Sequence, residues 1–361
     1  MSKNIFTEED GNLQDIKDEI IAVIGYGNQG RAQALNMRDS GLQVIIGNRS
    51  DDYRKRAEKD GFKTYSIDEV VKLSDIVFLL IPDEIMKDVY SSFIKPNLKK
   101  GNAIVFASGY NIAFNIIDVS KEFDLLMIAP RMIGAGVRER FLTKEGFYSF
   151  VHVKNDSSGK ASKRLLALCK AIGTLTKGAI DVTFKQEAVL DLFNEQGFGS
   201  VFGRVLLTSI FTLVDAGYPL EAVLIEMFMS EEMSYIYRKM AKIGLVKQVS
   251  LHSHTSQYGT MSRGIKFRKL PLKDKMKDIL QNIESGNFAR EWEKKSSKLK
   301  FRFIKFFSTR TRINMLEQKA RKNLKLKTYD IFEEEPIIEN PEELLQIQKE
   351  LKEFEEFYQE Y

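Results

Sequence analysis

A glycine-rich turn near the N-terminus constrains the fold of this chain more than any other feature. The apolar run IAVIG leads into a GxGxxG pattern and then into a helix-like segment; the pattern consists of Gly25, Tyr26, Gly27, Asn28, Gln29 and Gly30. Glycines in such a turn permit a sharp change of direction, close approach to a pyrophosphate and close helix–strand packing. The N-terminus of the following helix favours an anion. We therefore predict that these six residues bind a dinucleotide.

Short apolar runs alternate with helix-like segments from residue 21 to about residue 183. The runs are IAVIG, LQVIIG, DIVFLLIP, NAIVFASG, LLMIAP and FYSFVHV. Several are continuously apolar, as expected of parallel strands covered by helices on both faces. Segments such as Gln29–Ser40 and Asp51–Asp60 have the length and composition of crossover helices. The alternation predicts an α/β domain with a doubly wound, Rossmann-type sheet over residues 1–183.

The sequence changes character after Phe184. Residues 184–325 contain few β-branched runs and only two prolines, Pro219 and Pro271, while Leu, Phe, Ile and Met recur at helical spacing. This pattern predicts an all-α domain over residues 184–325. An acidic C-terminal extension follows over residues 326–361. Within it, Asn340 and the proline after it have the order of a helix N-cap and first turn, which predicts a terminal helix.

The composition is that of an ordinary soluble protein. Hydrophobic residues make up 43% and charged residues 29%, which excludes a disordered or collagen-like chain. The longest weakly interrupted apolar stretch, Val201 to Val214, carries Arg204 and is shorter than the ~20 residues of a membrane span. The N-terminus is acidic and polar, so we expect no secretory signal. One cysteine, Cys169, excludes an internal disulfide and is compatible with the reducing cytosol. We expect a cytoplasmic protein without a membrane partner.

Charge is distributed unevenly near the C-terminus. Residues 296–327 contain eleven Lys or Arg and one Glu, whereas residues 331–361 contain eleven Glu and two Lys. Basic clusters can bind phosphate backbones, but this block lacks the regularly placed base-reading residues of a known module. We interpret it as a solvated helix face paired with the acidic extension, and we expect no nucleic-acid partner.

The second apolar run ends without the acid that usually binds a free ribose 2′-hydroxyl. Arg49 and Ser50 stand there instead and could bind a 2′-phosphate. Asp51 and Asp52 follow directly and would repel that phosphate if they faced it. The sequence favours NADPH over NADH, with Arg49, Ser50 and Asp52 as candidate cofactor-binding residues.

These motifs resemble the short-type ketol-acid reductoisomerases over residues 4–325. The resemblance rests on IAVIGYGNQGRAQALNMRDSG, DIVFLLIPDE, FASGYNIAF, APRMIGAGVRERF, TFKQEAVLDLFNEQ, SHTSQYG and FAREW. It implies a Rossmann domain followed by a knotted helical domain that forms a homodimer. It also implies conversion of 2-acetolactate-type substrates to dihydroxy acids, by a magnesium-dependent alkyl migration and then hydride transfer from NADPH. Pro82 and Gly109 are cofactor-binding candidates on the same ground.

The resemblance assigns the metal ligands to two acid pairs. Asp191 and Glu195 match the first pair, and their spacing of four places both carboxylates on one helix face. Carboxylates suit Mg²⁺, which prefers oxygen ligands. In the second pair, contributed across the dimer, Glu226 matches the first position but Ser230 replaces the second carboxylate. Glu231 is one residue further, about 100° around an α-helix, and could substitute only with a local distortion. We therefore expect one metal site, and a weak or missing second one.

Other positions with catalytic roles in the family also differ. Ser108 stands where the family has a histidine near the nicotinamide, and Arg131 stands where it has a lysine. Arginine keeps the charge but cannot transfer a proton. Ser253 matches a substrate-loop serine, and His254 stands where the family has an asparagine. His254 could supply acid–base capacity, or it could be an ordinary loop residue.

These departures suggest an NAD(P)H-dependent oxidoreductase with weakened or lost isomerase activity. It would reduce a small 2-keto acid, 2-keto-3-hydroxy acid or imine analogue with one divalent ion, because reduction needs only one polarised carbonyl. One alternative is a genuine ketol-acid reductoisomerase of branched-chain amino-acid biosynthesis. The other is an inactive cofactor-binding scaffold.

Overall fold

The computed structural model describes residues 4–308 and 310–326 of the chain. Contacts divide it into two compact units, with the boundary between Leu190 and Asp191. The sequence places a domain boundary between residues 183 and 184, seven residues earlier, and the helix Phe184–Phe193 crosses both positions. The predicted terminal helix after Asn340 lies outside the described residues.

The first unit is built on one nine-stranded sheet. Its strands are β1 (Ile5–Phe6), β2 (Ile20–Ile24), β3 (Gln43–Gly47), β4 (Thr64–Tyr65), β5 (Ile76–Leu79), β6 (Ala103–Phe106), β7 (Asp124–Pro130), β8 (Tyr148–Asn155) and β9 (Gly178–Asp181). The strand order is β1-β9-β8-β7-β6-β5-β2-β3-β4. Strands β2 to β7 are parallel to one another, and β8 pairs with β7 in the antiparallel sense. The sheet is therefore Rossmann-like but mixed, and FYSFVHV does not join the parallel set.

Within the described part of this unit, seven α-helices accompany the strands. They are α1 (Asn28–Asp39), α2 (Asp52–Lys59), α3 (Ile67–Leu73), α4 (Asp83–Val89), α5 (Tyr110–Ala113), α6 (Gly134–Leu142) and α7 (Ala161–Ile172). Successive residues of β2 point to opposite faces of the sheet and enter two separate apolar clusters. Ile21 and Val23 belong to one cluster, and Ala22 and Ile24 belong to the other. Burial on both faces explains why the parallel strands are continuously apolar.

The chain reverses its direction of travel across the sheet between β2 and β5. Strands β3 and β4 lie on one side of this pair, while β6 and β7 lie on the other. Ligands of open α/β sheets bind beyond the carboxyl ends of the strands at such a reversal. The glycine-rich turn follows β2, and Pro82 follows β5 as the N-cap of α4, so both lie at this position.

The second unit is helical throughout its described residues. It continues from α8 (Phe184–Phe193) with α9 (Ser200–Asp215), α10 (Leu220–Leu224), α11 (Glu232–Ile243), α12 (His254–Gly264), α13 (Leu272–Glu284), α14 (Asn287–Trp292), α15 (Lys295–Ser308) and α16 (Arg312–Asn323). A small apolar cluster in this unit joins α9, α10 and α16 through Ile210, Val223, Leu224 and Ala320. Many large apolar side chains of these helices remain exposed.

A long apolar helix runs from Phe184 to Asp215. It has 32 residues, a mean hydropathy of 1.6 over its most apolar window, and only 11% of that window is buried. It is longer than the apolar stretch judged from sequence because α8 and α9 are joined by the π-helical turn Asn194–Gly199. By length and composition alone it could cross a membrane, which is weak evidence because core helices of soluble proteins share these properties.

Candidate active site

The glycine-rich turn has the geometry of a phosphate-binding loop. Gly25 has φ = +93°, a conformation that residues with a Cβ rarely adopt. At Gly30 a Cβ would lie 2.1 Å from the Gly25 carbonyl oxygen, so only glycine fits. Helix α1 then begins at Asn28, and its N-terminus favours an anion at this turn.

The three non-glycine residues of the turn are placed differently. Tyr26 is 1% exposed, and its hydroxyl donates to Asp60 Oδ2 at 2.8 Å, so its side chain is occupied within the protein. Burial and the Asp60 carboxylate raise the Tyr26 pKa well above its usual value. Gln29 Nε2 donates to the Met132 carbonyl oxygen at 2.8 Å, which fixes the segment after β7 to the turn. Asn28 packs against Gly134 at the start of α6.

The segment after β3 carries the candidate residues for the cofactor's ribose. Asp51 is the N-cap of α2 and accepts hydrogen bonds from the Arg54 backbone N–H at 3.1 Å and from Asn48 Nδ2 at 2.8 Å. Its second oxygen accepts from Arg49 Nε at 2.9 Å, and the Arg49 side chain is 81% exposed. Asp51 is thus engaged in local contacts. Asp52 is exposed and pairs with Lys55.

An ion pair with a buried carboxylate joins three segments at the carboxyl ends of the parallel strands. Arg131, which follows β7, donates from Nη2 to Glu187 Oε1 at 2.8 Å, and Glu187 is 0% exposed. The other oxygen, Glu187 Oε2, accepts from the Gly109 backbone N–H at 2.5 Å. Arg131 Nε also donates to the Ala129 carbonyl oxygen, and its guanidinium lies 5.0 Å from the Phe150 ring centroid. The guanidinium is therefore held in one orientation beside the segment after β6.

Glu187 was missed by the sequence analysis. An acid near the start of a helix is usually a solvated residue that interacts favourably with the helix dipole. Its partner Arg131 is 56 residues away, so no local pattern predicts the contact. The available signal was the small and apolar run AVL directly after Glu187, although Lys185 and Gln186 precede it. Ser108, a predicted site residue, directly precedes Gly109 in the chain, and its hydroxyl oxygen accepts a hydrogen bond from the Tyr110 backbone N–H at 3.2 Å.

Asp191 and Glu195 lie along one helical segment where α8 passes into the π-helical turn. The Ser200 backbone N–H donates to the Glu195 carbonyl oxygen, five residues back, which defines the wider turn. Residues four apart in sequence lie on the same side of an α-helix, and they stay close to that side in the slightly wider π-helical turn. Asp191 is half-buried and Glu195 is exposed.

The segment that contains Glu226 and Ser230 is distorted. Ile225–Met229 also forms a π-helical turn, and the Ser230 backbone N–H donates to the Ile225 carbonyl oxygen. Glu231 follows with φ = +61°, which is uncommon for a residue with a side chain, and α11 starts after it. Glu231 can take the place of Ser230 only if the helix is locally distorted. The structure contains such a distortion.

The remaining predicted residues lie at the start of α12. Ser253 is the N-cap, and its side chain accepts the Ser256 backbone N–H at 3.2 Å. His254 occupies the first position of the helix and is exposed. The structure thus gives Ser253 a capping contact, and the predicted role of His254 stays a prediction.

Within residues 4–308 and 310–326, no three His, Cys, Asp or Glu side chains lie close enough together to hold a metal ion. Glu226 is therefore not brought to Asp191 and Glu195 within one chain. Mg²⁺ is commonly bound through one or two carboxylates, with water and substrate completing its shell. The two carboxylates of Asp191 and Glu195 fit that chemistry.

Comparisons with known proteins match both parts of the chain. Residues 15–178 match the family described as "Acetohydroxy acid isomeroreductase, NADPH-binding domain", and residues 184–325 match "Ketol-acid reductoisomerase, C-terminal domain". A protein of Saccharolobus solfataricus named "Putative ketol-acid reductoisomerase 3" is 44% identical over 78% of this chain and 86% of its own length. "Ketol-acid reductoisomerase (NADP(+))" of Petrotoga mobilis is 42% identical over 80% and 87%.

A solved structure has the same architecture. It is described as an NADH-preferring ketol-acid reductoisomerase from an uncultured archean, and it is 33% identical with a TM-score of 0.81. The match covers 91% of this chain and 100% of the other. The prediction of a Rossmann-like domain followed by an all-α domain is confirmed.

Proposed function

The chain belongs to the ketol-acid reductoisomerase family, a family of NADP-dependent enzymes, and on this premise we propose that it is itself a reductoisomerase of 2-acetolactate-type substrates. From sequence alone, a reductase with weakened isomerase activity is favoured, and this function is the alternative. The comparisons support the alternative better, because the curated relatives that cover most of this chain carry the reductoisomerase name.

The observation that carries the proposal is the fixed guanidinium of Arg131. Glu187 and the Ala129 carbonyl oxygen hold it near the carboxyl ends of β6 and β7, in the unit that contains the glycine-rich turn. A positive charge held in advance at the place where an oxygen becomes negative costs no reorganisation during the reaction. A guanidinium stabilises an oxyanion but is not a proton-transfer group, so we assign Arg131 the first role alone.

The proposed reaction has two steps, alkyl migration and reduction. An alkyl group moves with its electron pair from one carbon to the adjacent carbonyl carbon, while the hydroxyl proton passes to the former carbonyl oxygen. Hydride from NADPH and one proton then reduce the new carbonyl group and leave NADP⁺. A bound Mg²⁺ would polarise the two substrate oxygens. Asp191 and Glu195 would hold it, and Glu226 would join them from a second copy of the chain.

For the cofactor we propose NADPH. Arg49 and Ser50 precede the N-terminus of α2, and Asp51 is engaged by that helix and by Arg49. The exposed guanidinium can therefore meet a 2′-phosphate without a free carboxylate from Asp51 facing it. The names of curated relatives include NADP(+), whereas the solved structure is described as NADH-preferring, so Arg49 is the position to test.

A reductase without efficient isomerisation is the second candidate. The observation that favours it is Ser230, a neutral and weaker ligand than a carboxylate. Migration needs charge stabilisation at two oxygens, whereas hydride transfer needs it at only one. A missing carboxylate therefore slows migration more than it slows hydride transfer. Occupation of the second position by Glu231 would remove this argument.

We also propose that the protein is a cytoplasmic homodimer. Support comes from apolar side chains exposed on the helical unit, including Met233, Tyr235 and Tyr237 of α11, because large exposed apolar surfaces usually mark interfaces. Light scattering tests this. A monomer in solution would contradict the placement of Glu226 at a shared metal site.

The test of the proposed function is NADPH oxidation with 2-acetolactate, 3-hydroxypyruvate or 2-ketopantoate, each with and without Mg²⁺. We expect Mg²⁺-dependent turnover of acetolactate. Reduction of the other two alone would support the second candidate. No turnover of any carbonyl, despite tight cofactor binding, would support an inactive scaffold.

A further inference from the structure

We propose that Asp60 is a positioning residue of the dinucleotide site, whose carboxylate fixes the glycine-rich turn through Tyr26 and Arg31. This inference rests on the proposed cofactor-binding function. It concerns the side chains of Tyr26, Arg31 and Asp60, none of which is assigned a contact with the cofactor above.

One carboxylate holds both ends of the turn. Asp60 Oδ2 accepts from the Tyr26 hydroxyl at 2.8 Å and from Arg31 Nε at 2.7 Å, while Oδ1 accepts from Arg31 Nη2 at 3.1 Å. Tyr26 precedes Gly27, and Arg31 follows Gly30. The two donors therefore flank the four residues whose backbone would meet the pyrophosphate.

The turn needs such support from outside. Gly27 and Gly30 have no side chains that could anchor them in the core, and glycine has more backbone freedom than any other residue. Tyr26 is buried against Phe62 with a ring-centroid distance of 5.7 Å. The side chains of Arg31 and Asp60 are only 18% and 15% exposed. Charge-assisted hydrogen bonds with little access to water are among the stronger ones.

Asp60 is itself fixed in place. It is the C-cap of α2, and its backbone N–H donates to the Arg56 and Glu58 carbonyl oxygens. Burial alone raises the pKa of the Asp60 carboxyl, but hydrogen bonds from Arg31 and Tyr26 and the charges of Arg31 and Arg38 lower it overall. The carboxylate is thus ionised in its contact with the turn at neutral pH.

Arg38 provides a matched control. Its Nη1 donates to the Asp60 backbone carbonyl oxygen at 2.5 Å, and its guanidinium lies 4.9 Å from the Phe62 ring centroid. It stabilises the same end of α2 but has no hydrogen bond to the carboxylate. Arg38→Ala should therefore reduce stability without moving the turn.

The experiment measures NADPH and NADH dissociation constants by cofactor fluorescence, using the full chain without substrate. Tyr26→Phe and Asp60→Asn should each raise the dissociation constants of both cofactors about fivefold to tenfold, as expected for loss of one to two buried hydrogen bonds. The NADPH/NADH ratio should stay unchanged, because both cofactors share the pyrophosphate. Arg38→Ala should leave both constants within about twofold of the unaltered protein while lowering its urea midpoint.

Two results would overturn the inference while leaving the proposed function intact. One is an unchanged affinity in both Tyr26→Phe and Asp60→Asn. The other is an equal loss of affinity in Arg38→Ala, which would indicate general loosening. If the unaltered chain bound neither cofactor, the proposed function would fail and this inference with it.

Discussion

Replacing Glu187 with glutamine removes the charge opposite Arg131 while keeping the side-chain volume and an oxygen for the Gly109 N–H. Breaking a buried ion pair costs about 3–5 kcal/mol when the remaining charge is fully buried. The Arg131 side chain is 24% exposed, so water can hydrate part of its charge. We therefore expect Glu187→Gln to lower the free energy of unfolding by about 2–3 kcal/mol.

Urea unfolding followed by circular dichroism at pH 7 measures this loss. Glu187→Ala should cost about 1–3 kcal/mol more, since the buried Gly109 N–H then has no acceptor in Glu187. Lys72→Gln is the control: it removes an exposed pair with Asp68, whose nitrogen–oxygen distance is 3.9 Å, and should cost less than about 0.5 kcal/mol. A double-mutant cycle with Arg131→Met isolates the coupling. A coupling energy below about 0.5 kcal/mol would refute the assignment of Glu187 as the group that holds Arg131.

Three further predictions concern the second metal position, the cofactor's 2′-phosphate and the Asp60 ion pair. Ser230→Glu should lower the Mg²⁺ concentration needed for isomerisation by roughly tenfold, because it adds a carboxylate to the second metal position. If Ser230→Glu changes nothing and Glu231→Gln loses isomerase activity, Glu231 already serves as the ligand there. Arg49→Ala should weaken NADPH binding about fivefold and leave NADH binding unchanged. Tighter binding of NADH than of NADPH by the unaltered protein would contradict the NADPH proposal. Because the folded-state pKa of Asp60 is lowered, its contribution to stability is present above the ordinary carboxyl pKa of about 4 and is lost as the pH falls through the folded-state value. Asp60→Asn should therefore flatten the acid limb of stability against pH, and an unchanged limb would contradict the ion pair with Arg31.

The parallel strands could be predicted from sequence because burial on both faces leaves continuous apolar runs. β5 and β6 are fully buried and were identified in this way. The two-residue strands β1 and β4 carry too few residues for any pattern, and the direction of β8 depends on its pairing with β7. Mixed sheets of this kind require tertiary information.

The site could be predicted only where its chemistry is local. The glycine-rich turn is a continuous segment whose conformational needs show in its residue types. The Arg131–Glu187 pair joins residues far apart in the chain, and no spacing rule predicts the π-helical turns at Asn194–Gly199 and Ile225–Met229. The side chain of Tyr26 shows the same limit, because its burial against Asp60 depends on where α2 ends.

Product analysis tests directly whether this chain catalyses alkyl migration. The full chain is incubated with NADPH, Mg²⁺ and 2-acetolactate carrying ¹³C in the methyl group on C2, and the product is examined by NMR. We predict one dihydroxy acid per NADPH oxidised, with the label attached to C3, and loss of this product with EDTA or in Asp191→Asn. Reduction of a 3-hydroxy-2-keto acid without any label migration from acetolactate would contradict the account.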